Sequence, residues 1–276
     1  MSGKGAIGFA ILATMLASAL LARWIAPMDP NEQDILNGLA PPFSHGEGGS
    51  FAILGTDRLG QDVASRIIYG SRVSLIVAFG AVGLSAVIGI AAGCVAGFMG
   101  RVAQSLVLTA ADIVLSIPFV LLALALISAL GAGLVNVIVA FAMVRWAQFA
   151  RITYALALEI REREWFQACR AGGIGFARTM LVHVLPNMSG PLLVVASLEL
   201  AYAILMESGL SFLGLGVPPE IPSWGGMLQE GRNEMETAWW LTALPGTAIM
   251  LAAIGFNFLG DWLRDRLDPG LQQVLR

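Results

Sequence analysis

The chain has 276 residues, of which 57% are hydrophobic and only 13% charged, with a formal net charge of −3. A soluble domain carries about 25% charged residues, and here the apolar excess is gathered into long uncharged runs, which excludes an ordinary soluble fold. Runs of about 20 residues make helices of about 30 Å, the thickness of a bilayer's hydrocarbon core, while the alternating short segments of an outer-membrane barrel are missing.

Lipid offers backbone N–H and C=O groups no partner, so each such run is expected as a helix, giving an all-α membrane protein with six transmembrane helices. The first run, Gly5 to Ala22, follows a short start containing Lys4. Ala17-Ser18-Ala19 resembles a signal-peptide cleavage site, but Leu20, Leu21, Trp24 and Ile25 carry the apolar character past it. A retained helix ending near Pro27 is expected. From Met28 to Arg72 the chain is polar, with loop chemistry at Pro41-Pro42 and in the glycine-rich tract from His45 through Glu47 to Ser50. Within it, Val63, Ile67 and Ile68 flank Arg66 at helical spacing. This predicts a short interfacial amphipathic helix over Asp62–Arg72, and residues 1–72 are read as a first unit.

The second span is expected over Val73–Gly100. Its Gly89, Gly93 and Gly97 form either a close-packing GxxxGxxxG stripe or only the ordinary glycine content of membrane helices. The third span runs over about Ala103–Leu130 with a kink at Pro118. After the turn at Gly131-Ala132-Gly133 comes the fourth, Leu134 to about Ala150. The charged stretch Arg151–Asn187 follows, and Glu159 with Arg163 at i, i+4 predicts that the fourth helix continues into water. The fifth span is expected over about Pro191–Leu215 and a polar loop over Gly216–Thr237. The sixth span covers Trp239 to about Gly260, and Asp261–Arg276 is read as a charged tail. Residues 73–276 thus make a five-helix core.

Basic residues set the orientation. With the N-terminus cytoplasmic, one side holds Lys4 and the arginines at 101, 151, 161, 163, 170, 178, 264, 266 and 276. The other holds Arg23, Arg58, Arg66, Arg72 and Arg232, with Arg145 inside the fourth span. Ten against five places both termini inside.

The polar residues resemble no active site, and no catalytic residue is assigned. Lys4 is the only lysine, so the chain lacks the Gly-Lys-Ser/Thr phosphate loop of a Walker ATPase. Cys94, Cys169, His45 and His183 show no metal-ligand spacing, and neither a metal site nor a disulfide is expected. Asp112, Glu199 and Glu207 are acids in apolar surroundings, costly in lipid unless they face a cavity or a partner. Glu199 and Glu207, eight positions apart, lie about 80° apart around a helix. They border one translocation path or make interhelical ion pairs or hydrogen bonds; Asp112 is read the same way.

Between spans four and five, Gln167-Ala168-Cys169-Arg170-Ala171-Gly172-Gly173 and Leu185-Pro186-Asn187 read as a short helix, a glycine break, an amphipathic stretch and a proline. This stretch resembles the EAA loop of ABC-importer permeases, placed here at about 159–187. Ala168, Cys169, Gly173, Leu185 and Pro186 fall at that loop's spacings, and Gln167, Cys169 and His183 replace its Glu, Ala and Ile. Three more stretches resemble the dipeptide/oligopeptide/nickel permease group: Leu54–Asp62 with Ser65-Arg66, Glu207–Gly216 with Pro222-Ser223-Trp224-Gly225, and Phe256–Asp261 with Leu263-Arg264-Asp265 and Leu267-Asp268-Pro269.

The resemblance implies a type I ABC-importer permease fold and the second, C-type permease subunit of a peptide importer in the bacterial inner membrane. It implies a homologous second permease, two ABC ATPase subunits that use ATP and Mg, and a substrate-binding protein as partners. Membrane lipid surrounds the chain, nucleic acid has no part, and this chain itself binds no cofactor. A nickel or other small-solute importer, or an ion-coupled secondary transporter, is the alternative.

Overall fold

The computed structural model describes residues 3–45 and 51–267. Glu47, in the first polar loop, and Asp268, Pro269 and Arg276, in the expected tail, lie outside the described residues. Apart from a two-residue hairpin, β1 (Ser44–His45) with β2 (Phe51–Ala52), the regular structure among the described residues is helical.

Five helices or continuous helical rods are long and apolar enough to cross a bilayer. They are α1 (Gly3–Ile25), α2 (Val63–Phe98), α5 (Leu134–Glu162), the rod Phe176–Phe212, and α10 (Trp240–Leu267). The remaining apolar run forms a broken pair, α3 (Arg101–Ser116) and α4 (Phe119–Leu130), bent by 94°. A simple kink at Pro118 was expected. Instead Ile117 and Pro118 are extended, with ψ of 129° at each, and α4 starts afresh behind the proline. A residue before proline is driven out of the α region, and proline suits a helix start.

The separate interfacial helix expected over Asp62–Arg72 is the opening part of α2, which runs through residues 72 and 73 without a break. No proline interrupts it, and Asp62 caps it: the carboxylate accepts from the backbone N–H of Ser65 at 2.8 Å and its hydroxyl at 2.6 Å. Nor is 261–267 a free tail, since α10 continues to Leu267.

The fifth span begins well before Pro191. The rod comprises α7 (Phe176–Arg178), a π-helical segment (Thr179–Val184) and α8 (Leu185–Phe212). Pro186 and Pro191 sit inside it. In the π segment Leu185 N–H donates to Met180 O, five residues back. This wider turn absorbs the displaced hydrogen bonding that a proline brings to an α-helix.

The core forms where α2, α5, α8 and α10 meet, and α1 packs on α10 and α2. The contact of α2 with α5 is the most extensive. It passes through the glycine stripe: a Cβ on Gly93 would lie 2.6 Å from Ala150 O and 2.5 Å from Thr153 Cβ. Gly89 similarly meets Phe149, and Gly97 meets Ala157. The close-packing reading of this stripe therefore holds. α4 packs across the other ends of α2, α5 and α8 through Ala123, Ile127, Val137 and Leu210.

Candidate functional site

The segment from Arg163 to Arg178 projects from one end of the bundle. Arg163 is extended and ends α5, and α6 (Glu164–Ala171) follows at once. Phe166 anchors α6 to the bundle: it is buried, with its ring centroid 5.4 Å from Phe98 at the end of α2. Phe176, at the start of the next helix, lies 6.4 Å from the same ring. α6 closes in a Schellman turn, with Gly173 N–H donating to Arg170 O at 3.2 Å and Ile174 N–H to Cys169 O at 3.1 Å. Gly173 takes the left-handed position with φ 70°, and Gly172 does not, at φ −77°. Glycine holds such a position without a Cβ penalty.

The residues singled out in this segment divide by exposure. Gln167, Ala168, Gly173 and Pro186 are exposed, while Cys169 and Leu185 are half-buried. Residues 170–178 are exposed throughout. Beneath them Phe98, Arg161, Phe166, Arg170, Ile174 and Thr179 line a cavity of about 410 Å³. Half-buried Trp165 is a second anchor, 6.4 Å from the His183 ring, and a short helix so held, with a bare outer face, can present a protein-docking surface without disturbing the spans.

The intramembrane acids have different surroundings. Arg145 of α5 pairs with Glu199 of α8 through two hydrogen bonds, Nε to Oε2 at 2.8 Å and Nη2 to Oε1. Its guanidinium also lies 4.4 Å from the centre of the Tyr202 ring. Glu199 is thus a buried, paired carboxylate. Glu207 is 1% exposed and has no cation partner among the described residues. It accepts from Ser211 Oγ at 2.8 Å and Ser208 Oγ at 3.4 Å. These two serines are roofed by Gly225 of α9 (Trp224–Gly231), so Glu207 does not join the Arg145–Glu199 cluster. Asp112 accepts a hydrogen bond from Arg151, an ion pair between α3 and α5.

Glu207→Gln keeps the volume and the serine contacts while removing the charge. Unchanged membrane levels and uptake lowered about threefold are expected, a barrier change under 1 kcal/mol. Transport at the parental rate would make the charge incidental.

At the opposite end a charged knot joins the two long loops. Arg66 of α2 pairs with Asp57, and with Glu230 of α9 at 2.7 Å. Asp57 also accepts from the N–H groups of Leu59 and Gln61, each at 2.9 Å. Trp224 and Trp240 fasten the same loops, donating to Ile67 O at 2.9 Å and Thr56 O at 3.1 Å. Sequence reasoning flagged the stretches containing Asp57, Arg66 and Trp224 but not this link to Glu230. It also noted Arg145 inside a span without assigning its partner. A lone arginine in a span was itself the signal to look for a buried acid.

The family model described as "Binding-protein-dependent transport system inner membrane component" matches residues 89–273. One described as "N-terminal TM domain of oligopeptide transport permease C" matches residues 5–42. The chain is 44% identical over 274 residues to the di/tripeptide transport system permease protein of Pseudomonas aeruginosa (strain UCBPP-PA14), covering 98% of this chain and 90% of that one. It is 41% identical over 272 residues to the dipeptide transport system permease protein of Escherichia coli (strain K12), covering 98% and 90%. The counterpart in Haemophilus influenzae (strain ATCC 51907 / DSM 11121 / KW20 / Rd) is 38% identical over 267 residues, covering 97% and 90%.

Proposed function

We propose that this chain, which belongs to the binding-protein-dependent transport system inner membrane components, works as the C-type permease of an ATP-driven peptide importer and docks an ATPase subunit through the 163–178 segment. The peptide cargo rests on relatives named for dipeptide and di/tripeptide transport. The observation that carries the docking role is the exposed α6–Gly173 turn, held on the bundle by Phe166 and half-buried Trp165 and carrying Gln167, Ala168 and Cys169.

In this reading a homologous second permease faces this chain across the path. Two ATPase subunits lie under the α6 end, and a substrate-binding protein delivers solute at the Arg66 end. The chain performs no covalent chemistry; ATP and Mg belong to the ATPases. Its part is to pack differently in two global states, biased by nucleotide at one end and by the loaded binding protein at the other. Both termini are cytoplasmic. Glu199 and Glu207 serve the path, the first held by Arg145 and the second held buried by Ser208 and Ser211, without a cation among the described residues.

Sidedness is checked by labelling sealed cells with an impermeant thiol reagent. Cysteine at Glu236, an exposed position in the loop before α10, is expected to react and cysteine at Arg163 to stay protected; the reverse pattern inverts the topology. The functional reading is checked in vesicles holding both permeases and both ATPases. Accumulation of alanyl-alanine is expected only with internal ATP and external loaded binding protein. Ion-gradient-driven uptake by this chain alone would make it a secondary transporter.

A further inference from the structure

The first long loop wraps around the start of α2. Met28 N–H donates to Ser65 Oγ at 3.0 Å, and Asp34 N–H to Leu59 O at 3.0 Å. Gly60, at φ 74°, allows this approach, since a Cβ there would run into Asp34 O. The wrapping encloses a cavity of about 180 Å³ with Glu32, Asp34, Asn37, Thr56 and Asp62 in its wall. Three of these are carboxylates, and no basic side chain lines the cavity. Arg58 and Arg66, the nearest arginines in sequence, are engaged elsewhere, with Glu234 and with Asp57 and Glu230. Asp62 is 2% exposed. Its Oδ2 takes both bonds from Ser65, whereas Oδ1 is buried with no hydrogen-bond partner among the described residues. Ser65 is not in the cavity wall, so Oδ2 points away from the cavity and Oδ1 towards it. A buried carboxylate oxygen left bare is costly, and the start of α2 relieves the charge through Oδ2 alone.

We propose that this cavity is a site for a hard divalent cation, Ca²⁺, held by Asp62 Oδ1 and Asp34 with Glu32 at its rim. The expectation that no metal binds was drawn from cysteine and histidine spacing, whereas hard cations take oxygen ligands alone. Among the described residues no three Asp, Glu, His or Cys stand close enough to hold an ion. The shell therefore has two carboxylates at most, completed by neutral oxygens of the wall and by water, for which the volume leaves room. So low a charge count puts the affinity at the weak end, a dissociation constant of about 10⁻⁴–10⁻³ M, as in extracellular modules. That range suits the outward side proposed for this end. The bound ion pins residues 28–37 to the start of α2, one turn before Arg66. It does so whichever solute is carried.

The test uses the complete transporter in non-ionic detergent, without nucleotide, stripped with chelator and titrated with Ca²⁺ alone. Deuterium exchange of residues 28–37 is expected to slow about tenfold, half-maximally at about 10⁻⁴–10⁻³ M Ca²⁺. Tb³⁺ at the site is expected to luminesce on tryptophan excitation, because the Trp240 indole donates to Thr56 O at 3.1 Å, and Ca²⁺ is expected to displace it. Asp62→Asn keeps an N-cap acceptor for Ser65 while removing the charge. That variant is expected to form the complex at parental yield, to bind Ca²⁺ about tenfold more weakly and to lose the displaceable Tb³⁺ signal. Exchange of residues 28–37 unchanged by Ca²⁺ in the parental complex would overturn the proposal, whatever the variant does, and leave Asp62 Oδ1 to water. Equal Ca²⁺ affinity in the parental and Asp62→Asn complexes would place the ion elsewhere and also overturn it.

Discussion

Gly173→Val is expected to leave the permease in the membrane with its spans intact, while ATPase subunits no longer co-purify and uptake falls to the level of vesicles without ATP. The cause is local. Gly173 sits at φ 70°, and a Cβ there meets nothing within 4 Å, so the clash is with the residue's own backbone. For a β-branched residue that conformation costs about 1–3 kcal/mol. The Schellman turn would reopen by losing the Gly173-to-Arg170 and Ile174-to-Cys169 hydrogen bonds. Reopening re-aims α6, whose hold on the bundle is Phe166 tilted against Phe98 and Trp165 beside His183. Gly173→Asn, which tolerates the left-handed region, is expected to keep most function, and Gly172→Ala nearly all. Equal behaviour of the valine and asparagine variants, both fully coupled, would show that this turn is only a tether.

Gly93→Leu is expected to prevent accumulation of folded permease. A Cβ at residue 93 would run into the backbone of α5 at Ala150 and into Thr153, neither of which is a flexible side-chain end. Overpacking in a well-filled core costs about 1–3 kcal/mol even where side chains can move. Here two spans must separate along their most extensive contact. Gly83→Leu on the same helix is the control, because a Cβ there meets nothing within 4 Å. Size-exclusion profiles of fluorescent fusions in detergent read both. A monodisperse Gly93→Leu variant at parental yield would mean that α2 and α5 are not held at this distance.

Several features were legible in the sequence because each depends on nearby residues. Uncharged runs of span length located the five long rods and the broken α3–α4 pair, and paired glycines located the turn after α6. Other features depend on groups far apart in the chain. Pro118 marked a disturbance, but whether a proline bends a helix or divides it depends on how the flanking pieces pack. α4 turns away to cover Val137 and Leu210. Pro186 resembled the end of a loop and Pro191 the start of a span because the π turn that precedes them has no composition of its own. The amphipathic spacing over Asp62–Arg72 was real, but its polar side is turned to Asp57 and Glu230 rather than to a membrane surface. For Glu199, membrane cost required a partner, yet choosing Arg145 required the relative rotation of α5 and α8.

The length of α2 has a mechanical consequence. Its 36 residues make a rod of about 54 Å, well beyond the thickness of the hydrocarbon core. One end is bolted through Arg66 to the loops at Asp57 and Glu230. The other ends at Phe98, wedged between Phe166 and Phe176. A stiff rod clamped at both tips is a lever. With its fulcrum at the glycine stripe, close to the Phe98 tip, a tilt of about 5° moves the far tip by about 4 Å and the Phe98 tip by roughly 0.7 Å. Pressure on the charged loops and pressure on the aromatic wedge therefore act on one rigid body, in opposite directions, with no chain of intervening side chains to relay the movement.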